Sequence, residues 1–258
     1  ANHINAEEIS GRVIIIPGMN YPAFKAGKRT SPIDGGNMNR VFPGNPEGTF
    51  TEKIADYFNR TLLPMADYVV DFHSGGKTLD FLPFCCAHVL DDKTQQEKCV
   101  AAMKAFNAPH SVMLLEIDAV NMYDTAAENM GKVFISTELG GGGSTTAYTV
   151  EIAKKGIRNI LRHAGITKGD LEVDETLNLD MPDDNCYIFS ESTGLVEHCV
   201  DLGDEVKAGQ LVAKVHNIER TGAPPDEYHA KIDGIFTGKH FPGLVVNGDF
   251  LGVIAVPV

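Results

Sequence analysis

The stretch Tyr68-Val-Val-Asp-Phe-His-Ser-Gly-Gly76 does most to decide the fold. Its opening, Tyr68 to Phe72, is rich in β-branched and aromatic residues and predicts a buried strand, which His73 follows directly. The two glycines after it allow the backbone and a ligand to approach each other closely. Three further short runs predict strands of the same kind: Arg12 to Ile16, Val112 to Leu115 and Val133 to Thr137.

Helical patterns lie between these predicted strands. A capping box formed by Thr49 and Glu52 predicts the start of one helix, and Asp92 predicts the start of a second. The longest predicted helix runs from Thr145 to His163, with Gly165 as its C-terminal stop. Strands that alternate with helices predict an α/β fold, with a mostly parallel or mixed sheet flanked by helices. Ligand sites in such folds lie beyond the carboxyl ends of the strands.

The last third of the chain has a different character. The segment from Lys168 to Asn185 is acidic and has little periodicity, so we expect a boundary between a catalytic domain at 1–170 and a β domain at 171–258. The second part repeats itself, because Gly209 to Val215 aligns with Gly248 to Ile254. Two similar β halves predict a small, all-β barrel-sandwich domain.

Composition excludes several classes of protein. The 258 residues carry 22 Lys and Arg against 35 Asp and Glu, a formal charge of −13, which argues against a nucleic-acid partner. No apolar run approaches the roughly 20 residues that span a bilayer, so we expect no membrane association. The five cysteines are odd in number and lack Cys-x-x-Cys spacing. They predict reduced thiols and a cytoplasmic protein.

His73 is the first candidate for chemistry. At the carboxyl end of a strand, an imidazole is well placed to bind a metal ion in the crevice of the sheet. Asp71 lies two residues earlier and therefore on the same face of the strand, where it can orient the imidazole. The alternative is a structural histidine, which is the commoner role of a lone His.

The loop Asn37 to Gly44 is the second candidate. An Arg fork binds a carboxylate through two parallel hydrogen bonds, and an Asn amide adds a directional contact. Asn39 and Arg40 therefore suit a substrate with a free α-carboxylate, and Arg29 lies a little upstream. The alternative is a solvated Arg on a polar loop.

The third candidate is Ser136-Thr-Glu-Leu-Gly-Gly-Gly-Gly143. A carboxylate at the end of a strand, such as that of Glu138, accepts a proton from a metal-activated water and returns it to a leaving nitrogen. Four consecutive glycines before a helix also suggest a phosphate loop. The spacing fits neither a Walker motif nor a dinucleotide fingerprint.

Together these motifs resemble the succinylglutamate desuccinylase/aspartoacylase family, relatives of the zinc carboxypeptidases. The resemblance rests on Met19 to Phe24, Arg29 to Gly35, Asn39 to Gly44, Asp71 to Asp80 and Thr137 to Gly143. It implies a zinc-carboxypeptidase-like fold, hydrolysis of an N-acyl amino acid amide, and one Zn²⁺ per subunit. It also implies a role for each candidate: His73 as a zinc ligand, Glu138 as general base and acid, Arg29 as the group that polarises the carbonyl, and Asn39 with Arg40 as the carboxylate clamp.

One part of the family pattern is missing from the stretch that carries the resemblance. The family binds zinc through a His-x-x-Glu pair and a later His, yet no His between Gly11 and Gly165 is followed three residues later by Glu. We expect the other two ligands upstream of Ala1, and we expect poor zinc binding without them. If no such pair exists upstream, the alternative is a non-catalytic binding or assembly module.

The stretch Tyr123 to Glu128 bears on the substrate, because aspartoacylases carry an Arg there that grips a side-chain carboxylate. This chain has acids and no Arg in that stretch, so Tyr123, Asp124 and Glu128 predict a pocket for a side-chain ammonium, with Glu116 and Asp118 behind them. The motifs are especially similar to members that deacetylate N-alpha-acetyl-L-2,4-diaminobutyrate in ectoine degradation.

Several readings stay open. The acids of that stretch form either the pocket or a solvated face, and another acylase of the family is the alternative function. Carboxypeptidase action is disfavoured, because the β domain would crowd the cleft. Exposed β strands leave a homo-oligomer possible.

Overall fold

We describe the fold from a computed structural model, in which residues 4–115 and 119–258 are described. Five α-helices are present in these ranges: α1 Tyr21–Ala26, α2 Phe50–Tyr57, α3 Lys93–Phe106, α4 Tyr123–Asn129 and α5 Ala147–His163. The first five strands in chain order are β1 Tyr68–His73, β2 Leu79–Phe81, β3 Phe84–His88, β4 His110–Leu114 and β5 Val133–Glu138. The remaining strands are β6 Leu177–Asp180, β7 Tyr187–Phe189, β8 Gly194–His198, β9 Glu205–Val206, β10 Leu211–His216, β11 Asp226–His229, β12 Gly234–His240, β13 Leu244–Val245 and β14 Phe250–Pro257.

The predicted helix starts are confirmed by their capping groups. Thr49 and Glu52 form both hydrogen bonds of a capping box at α2, and the Asp92 carboxylate accepts from two amides at the start of α3. The longest helix begins two residues later than predicted, behind Thr146. Within the described ranges, no helix combines the length and the apolar character needed to cross a membrane.

A ten-stranded sheet joins most of the chain, in the order β1-β5-β3-β4-β6-β14-β12-β2, with β7 and β9 attached beside it. The pairs β1/β5, β3/β4 and β4/β6 are parallel, whereas β5/β3 and the pairs from β6 to β2 are antiparallel. The predicted α/β class with a mixed sheet is confirmed. A separate four-stranded antiparallel sheet has the order β11-β10-β8-β13.

This large sheet crosses the predicted boundary at residue 170. Strand β2 of the first part pairs with β12 of the second, and β4 pairs with β6. The division into 1–170 and 171–258 therefore stays a prediction about folding units, because the two parts share one hydrogen-bonded sheet.

The two faces of the sheet differ because successive side chains of a strand point to opposite sides. Cys85 and Ile135 face α3 and α5 in a closed apolar cluster. In that cluster α5 approaches α3 at Gly156, where a Cβ atom would lie 2.2 Å from a ring atom of Phe106. The opposite face carries Cys86 and its neighbours and is partly covered by strands of the C-terminal part.

The predicted strand Arg12 to Ile16 is wrong. Residues 12–16 have no strand assignment, and Ile14, Ile15 and Ile16 are 42%, 51% and 42% exposed. A β-branched run becomes a strand only when another strand satisfies its backbone groups, and none of the described residues pairs with it. Strand β1 accordingly stands first in the sheet order of the described strands.

Candidate active site

A cavity of about 620 Å³ lies at the carboxyl ends of β1 and β5. Side chains from both predicted domains line it. They are Met19, Asn20, Arg29, Asn37, Met38, Asn39, Arg40, Asp71, His73, Cys86, His88, Leu114, Leu115, Met122, Tyr123, Asp124, Ser136, Glu138, Tyr187, Phe189 and Phe250. His73, Glu138, Arg29 and the Asn39-Arg40 pair thus reach one crevice from separated stretches, as the sequence predicts.

His73 is held at the end of β1 by both its side chain and its main chain. Its Nε2 atom lies 2.9 Å from Asp71 Oδ2, so Asp71 does share its strand face. The His73 amide donates to Thr137 Oγ1 at 3.2 Å, and the His73 carbonyl accepts from the Leu139 amide at 3.0 Å. The neighbouring strand therefore fixes the position from which the imidazole enters the cavity.

Glu138 is the register partner of His73 across the parallel pair β1/β5. Its Oε2 atom is buried and has no hydrogen-bond partner among the described residues. Desolvation raises the pKa of Glu138 to about 7, since it outweighs the opposing charges of His73 and Arg29. A carboxyl group with this pKa exchanges protons readily near neutral pH.

The imidazole of His73 is in an acidic environment although 44% of its side chain is exposed through the cavity. Burial disfavours its charged form, but the hydrogen bond and charge of Asp71, with Glu138 and Asp124 further away, raise the pKa of His73 to about 9. The same negative surroundings suit a bound cation.

The carboxylate clamp is anchored by its neighbours in sequence. Asn39 and Arg40 belong to a short 3-10 helix, Met38–Arg40, and the flanking Met38 and Phe42 are buried against α2. Arg40 Nη1 donates to the carbonyl oxygen of Asn39 at 2.6 Å. Asn39 Oδ1 accepts from the amide of Tyr123 at 2.8 Å and so ties this loop to the start of α4.

Tyr123 and Asp124 line the cavity from the first turn of α4, whereas Glu128 does not. The Glu128 carboxylate is buried behind the wall, where Oε1 lies 2.9 Å from Nδ1 of His88, and it is His88 that lines the cavity. In this arrangement Glu128 holds His88 and does not line the cavity, so its predicted contact with the substrate stays a prediction. Glu116 and Asp118 lie outside the described residues.

Sequence reasoning missed the aromatic wall formed by Tyr187, Phe189 and Phe250. The rings of Phe189 and Phe250 lie 4.4 Å apart, and Tyr187 packs beside Phe250 at 5.5 Å. These residues come from β7 and β14 of the C-terminal part, which carries no motif that points to chemistry. Tyr187 and Phe189 alternate with Ile188 in β7, whereas Phe250 is the single aromatic residue of β14, so the sequence carries little signal for this wall.

The four glycines after Glu138 serve packing, which argues against a phosphate loop. The amides of Gly142 and Gly143 already donate to the carbonyls of Leu79 and Gly76. A Cβ atom on Gly141 would lie 1.9 Å from the Leu79 carbonyl oxygen. The glycines therefore let this loop lie directly against the segment after His73.

The described residues fit a metal ion only in part. His73 and the unpartnered Glu138 oxygen suit a cation site, but no group of three His, Cys, Asp or Glu side chains in residues 4–115 and 119–258 has ligand geometry. The sequence does contain one His-x-x-Glu, His216 to Glu219, outside the resembling stretch. His216 is in β10 of the four-stranded sheet, where it bonds Glu197 at 2.6 Å and does not line the cavity.

The mixed sheet presents His73 and Glu138 side by side at the carboxyl ends of two parallel strands, an arrangement that suits metal-assisted hydrolysis. The chain belongs to the succinylglutamate desuccinylase/aspartoacylase family, because residues 1–164 match the catalytic domain of that family. It is a hydrolytic acylase of this family, and the family is in general zinc-dependent.

Three relatives show how far the similarity extends. The chain is 51% identical over 257 residues to an N-alpha-acetyl-L-2,4-diaminobutyric acid deacetylase of Halomonas elongata, covering 99% of this chain and 75% of the relative. It is 62% identical to the product-bound ectoine utilization protein EutE (DoeB) of Ruegeria pomeroyi, with a TM-score of 0.97 and coverage of 99% and 78%. A succinylglutamate desuccinylase structure from a Silicibacter species is 59% identical, with a TM-score of 0.95 and coverage of 100% and 78%.

Proposed function

We propose that this enzyme hydrolyses N-alpha-acetyl-L-2,4-diaminobutyrate to acetate and 2,4-diaminobutyrate, a step of ectoine degradation. The observation that carries the proposal is the convergence of His73, Glu138 and the Asn39-Arg40 pair on one cavity. The Halomonas relative, named for this reaction, supports the choice of substrate.

We further propose that the enzyme depends on zinc and that His73 is one of the protein ligands. When bound there, zinc polarises the acetyl carbonyl and makes water nucleophilic near neutral pH. Asp71 orients the imidazole through the 2.9 Å contact with Nε2, and Thr137 fixes the main chain of His73. Such supporting contacts raise metal affinity because the ligand needs no reorganisation.

Glu138 moves the proton. Its raised pKa lets it accept a proton from the attacking water and hand that proton to the amide nitrogen as the carbon–nitrogen bond breaks. The remaining hydroxide forms a C–O bond with the carbonyl carbon, the C–N bond breaks, and the nitrogen gains the proton as a new N–H bond, so that acetate and the free α-amine are released. The unpartnered Oε2 atom is available for the first of these transfers.

The cationic groups hold the substrate. Arg29 lines the cavity and carries a charge that acts on Glu138, so it is placed to stabilise the oxyanion that develops on the carbonyl. The Asn39 amide and the Arg40 guanidinium bind the α-carboxylate from the anchored 3-10 helix. Asp124, from α4, accepts the side-chain ammonium of the diaminobutyrate, and Tyr123 forms the wall beside it.

The experiment compares substrates on the zinc-loaded enzyme, prepared with the two further metal ligands that the family resemblance implies. We expect kcat/KM for N-alpha-acetyl-L-2,4-diaminobutyrate to exceed that for N-acetylaspartate by at least about 100-fold, because a second carboxylate would face Asp124. Asp124→Asn should lower this ratio at least tenfold, mainly by raising KM for the diaminobutyrate. A preference for N-acetylaspartate or for succinylglutamate contradicts the proposal and identifies another acylase.

We also propose a cytoplasmic location. All five cysteines are free and four of them are buried, which suits a reducing compartment. Fractionation of cells that express the protein tests this, and recovery outside the cytoplasm contradicts it.

A further inference from the structure

A second cavity, of about 170 Å³, lies next to the cavity of about 620 Å³ described above, which we call the reaction cavity, on the other side of Glu138. Both cavities are lined by Glu138, Leu114, Tyr187 and Phe250, so the two cavities meet at these residues. The large cavity has the carboxylate clamp and the acids, whereas the small one lies between β3, β4 and β5 on one side and β7, β12 and β14 on the other.

The wall of the small cavity is almost wholly apolar. Phe81, Phe84, Val112, Met181 and Val253 supply most of it. Its two hydroxyl groups already have partners: Thr237 Oγ1 donates to the carbonyl of Val253 at 3.2 Å, and the Tyr187 hydroxyl donates to the carbonyl of Leu115 at 2.6 Å. An apolar cavity of this size tends to exclude water and to accept apolar groups.

The walls are also held in place. A Cβ atom on Gly238 would lie 2.4 Å from the Phe81 ring, so this ring rests directly on β12. Phe81 and Phe84 make an edge-to-face contact with ring centres 5.9 Å apart. The amide of Leu82, between them, donates to the Thr237 carbonyl at 2.8 Å. The cavity therefore exists before any substrate binds.

We propose that this small cavity receives the acyl chain of the substrate and selects for uncharged acyl groups. The inference rests on the proposed function, since the amino acid portion occupies the large cavity at Asn39, Arg40 and Asp124. The acyl carbon beyond the reacting carbonyl then points past Glu138 into the apolar space. A volume of about 170 Å³ takes more than a methyl group, so propionyl and butyryl chains fit as well as acetyl.

The same cavity excludes succinyl groups. The terminal carboxylate of a succinyl chain would be buried beside Glu138 with no cationic partner among the described residues that line the cavity. Burial of an unpaired charge strongly opposes binding. Burial of one additional methylene instead favours binding, by up to about fourfold.

The test is an acyl series on L-2,4-diaminobutyrate, measured with the zinc-loaded enzyme. We expect kcat/KM for propionyl and butyryl substrates within about tenfold of that for acetyl, and a loss of at least about 1000-fold for succinyl. Hydrolysis of acetyl alone, or of succinyl as fast as acetyl, overturns the acyl pocket while the proposed function stands. No hydrolysis of any member overturns the proposed function itself.

Two substitutions at Val112 locate the pocket. Val112→Phe fills the cavity and should lower kcat/KM for butyryl at least tenfold more than for acetyl. Val112→Ile adds one methylene and perturbs folding less. It should lower kcat/KM for butyryl about threefold more than for acetyl, and so lower the butyryl-to-acetyl ratio. Val212→Ile makes the matched change in the separate C-terminal core and should leave the ratio unchanged. An unchanged ratio in the folded Val112→Ile enzyme assigns the acyl chain to another place.

Discussion

Cys85 and Cys86 are neighbours on β3, yet their environments have little in common. Cys85 is fully buried among the apolar side chains of α3 and α5. Cys86 faces the reaction cavity, where its Sγ lies 3.1 Å from Ser136 Oγ. The neighbouring strand β5 shows the same difference between its two faces. Ile135 packs against the helices, whereas Ser136 and Glu138 reach the cavity.

Because successive side chains of a strand point to opposite faces of the sheet, residues that stabilise the fold alternate with residues that line the cavity. One face satisfies the requirements of a close-packed interior, and the other keeps polar groups at the edge of a cavity. Substitutions on the helix face should therefore change stability without changing catalysis, and substitutions on the cavity face should do the reverse.

The largest effect is expected at Glu138 on the cavity face. Glu138→Gln keeps the shape and removes proton transfer, so kcat should fall about 1000-fold, within the range for loss of a general base. The melting temperature should stay the same or rise, because a buried charge that has one oxygen without a hydrogen-bond partner is replaced by an uncharged amide. Steady-state kinetics and thermal denaturation measure both.

Ile135→Val is the matched control on the helix face. It should cost about 0.5–1.5 kcal/mol of stability and leave kcat unchanged. A Glu138→Gln enzyme with more than a tenth of the original kcat removes Glu138 from the mechanism.

The second prediction concerns the contact between α3 and α5. Gly156→Ala places a methyl group within 2.2 to 2.4 Å of Phe106 ring atoms, and that ring is completely buried. Alanine would normally stabilise a helix interior by about 1 kcal/mol, but overpacking should give a net loss of about 1–2 kcal/mol. Urea denaturation measures it, and an increase in stability would show that the helices separate without cost. The kcat of the folded enzyme should not change.

The two cysteines give a direct test of the comparison. Cys85→Ser buries a hydroxyl in an apolar cluster and should cost about 1–3 kcal/mol. Cys86→Ser should cost less than about 1 kcal/mol, because the hydroxyl and carbonyl of Ser136 lie within hydrogen-bonding reach. Urea denaturation measures the free energy of unfolding of both variants. An equal decrease in the two would contradict the assignment of the two faces.

The smallest effect is expected at Glu172, an exposed acid that contrasts with Glu138. Its hydrogen bonds to Arg158 and Arg162 lower the pKa of Glu172 to about 2 from the ordinary 4.5. A lowered folded-state pKa stabilises the protein above about pH 4.5, and this stabilisation is lost as the pH falls toward 2.

Glu172→Gln should therefore lower the melting temperature slightly at pH 7 and approach the unsubstituted protein at the acidic end. Thermal denaturation between pH 7 and pH 3 measures the difference. Glu175→Gln, in the same segment, is the control and should show a weaker pH dependence. A gap between Glu172→Gln and the parent that widens on acidification would contradict the ion pairs.

The sequence predicts the parts of the site that depend on local pattern. The face shared by Asp71 and His73 follows from alternation, whereas the pairing of His73 with Glu138 joins strands that are not consecutive in the chain and is not predicted. The other parts of the site depend on contacts between residues that are distant in the chain, and local sequence pattern does not show such contacts. Glu128 has the composition of a pocket residue but pairs with His88, which is 40 positions away in sequence.

The buried face of α5 shows the same limit. Val150, Ala153, Ile157 and Leu161 recur at helical spacing and predict one buried apolar face, yet Val150 is exposed while Gly156 and Asn159 are buried. Gly156 is buried because Phe106 approaches it, and Asn159 because it holds the main chain of Glu172 through two 2.8 Å hydrogen bonds. Hydrophobicity assigns neither residue to the interior.

The sheet that runs from β1 through to β12 also constrains how members of the family can diverge. Tyr187 and Phe250 supply part of the catalytic chamber, and their strands are hydrogen-bonded into the same layer as the rest. A chimera that exchanges everything after residue 170 between two relatives would replace half of the layer and the aromatic wall at once. Recombination at that point would therefore change the stability of the sheet and the lining of the cavity together.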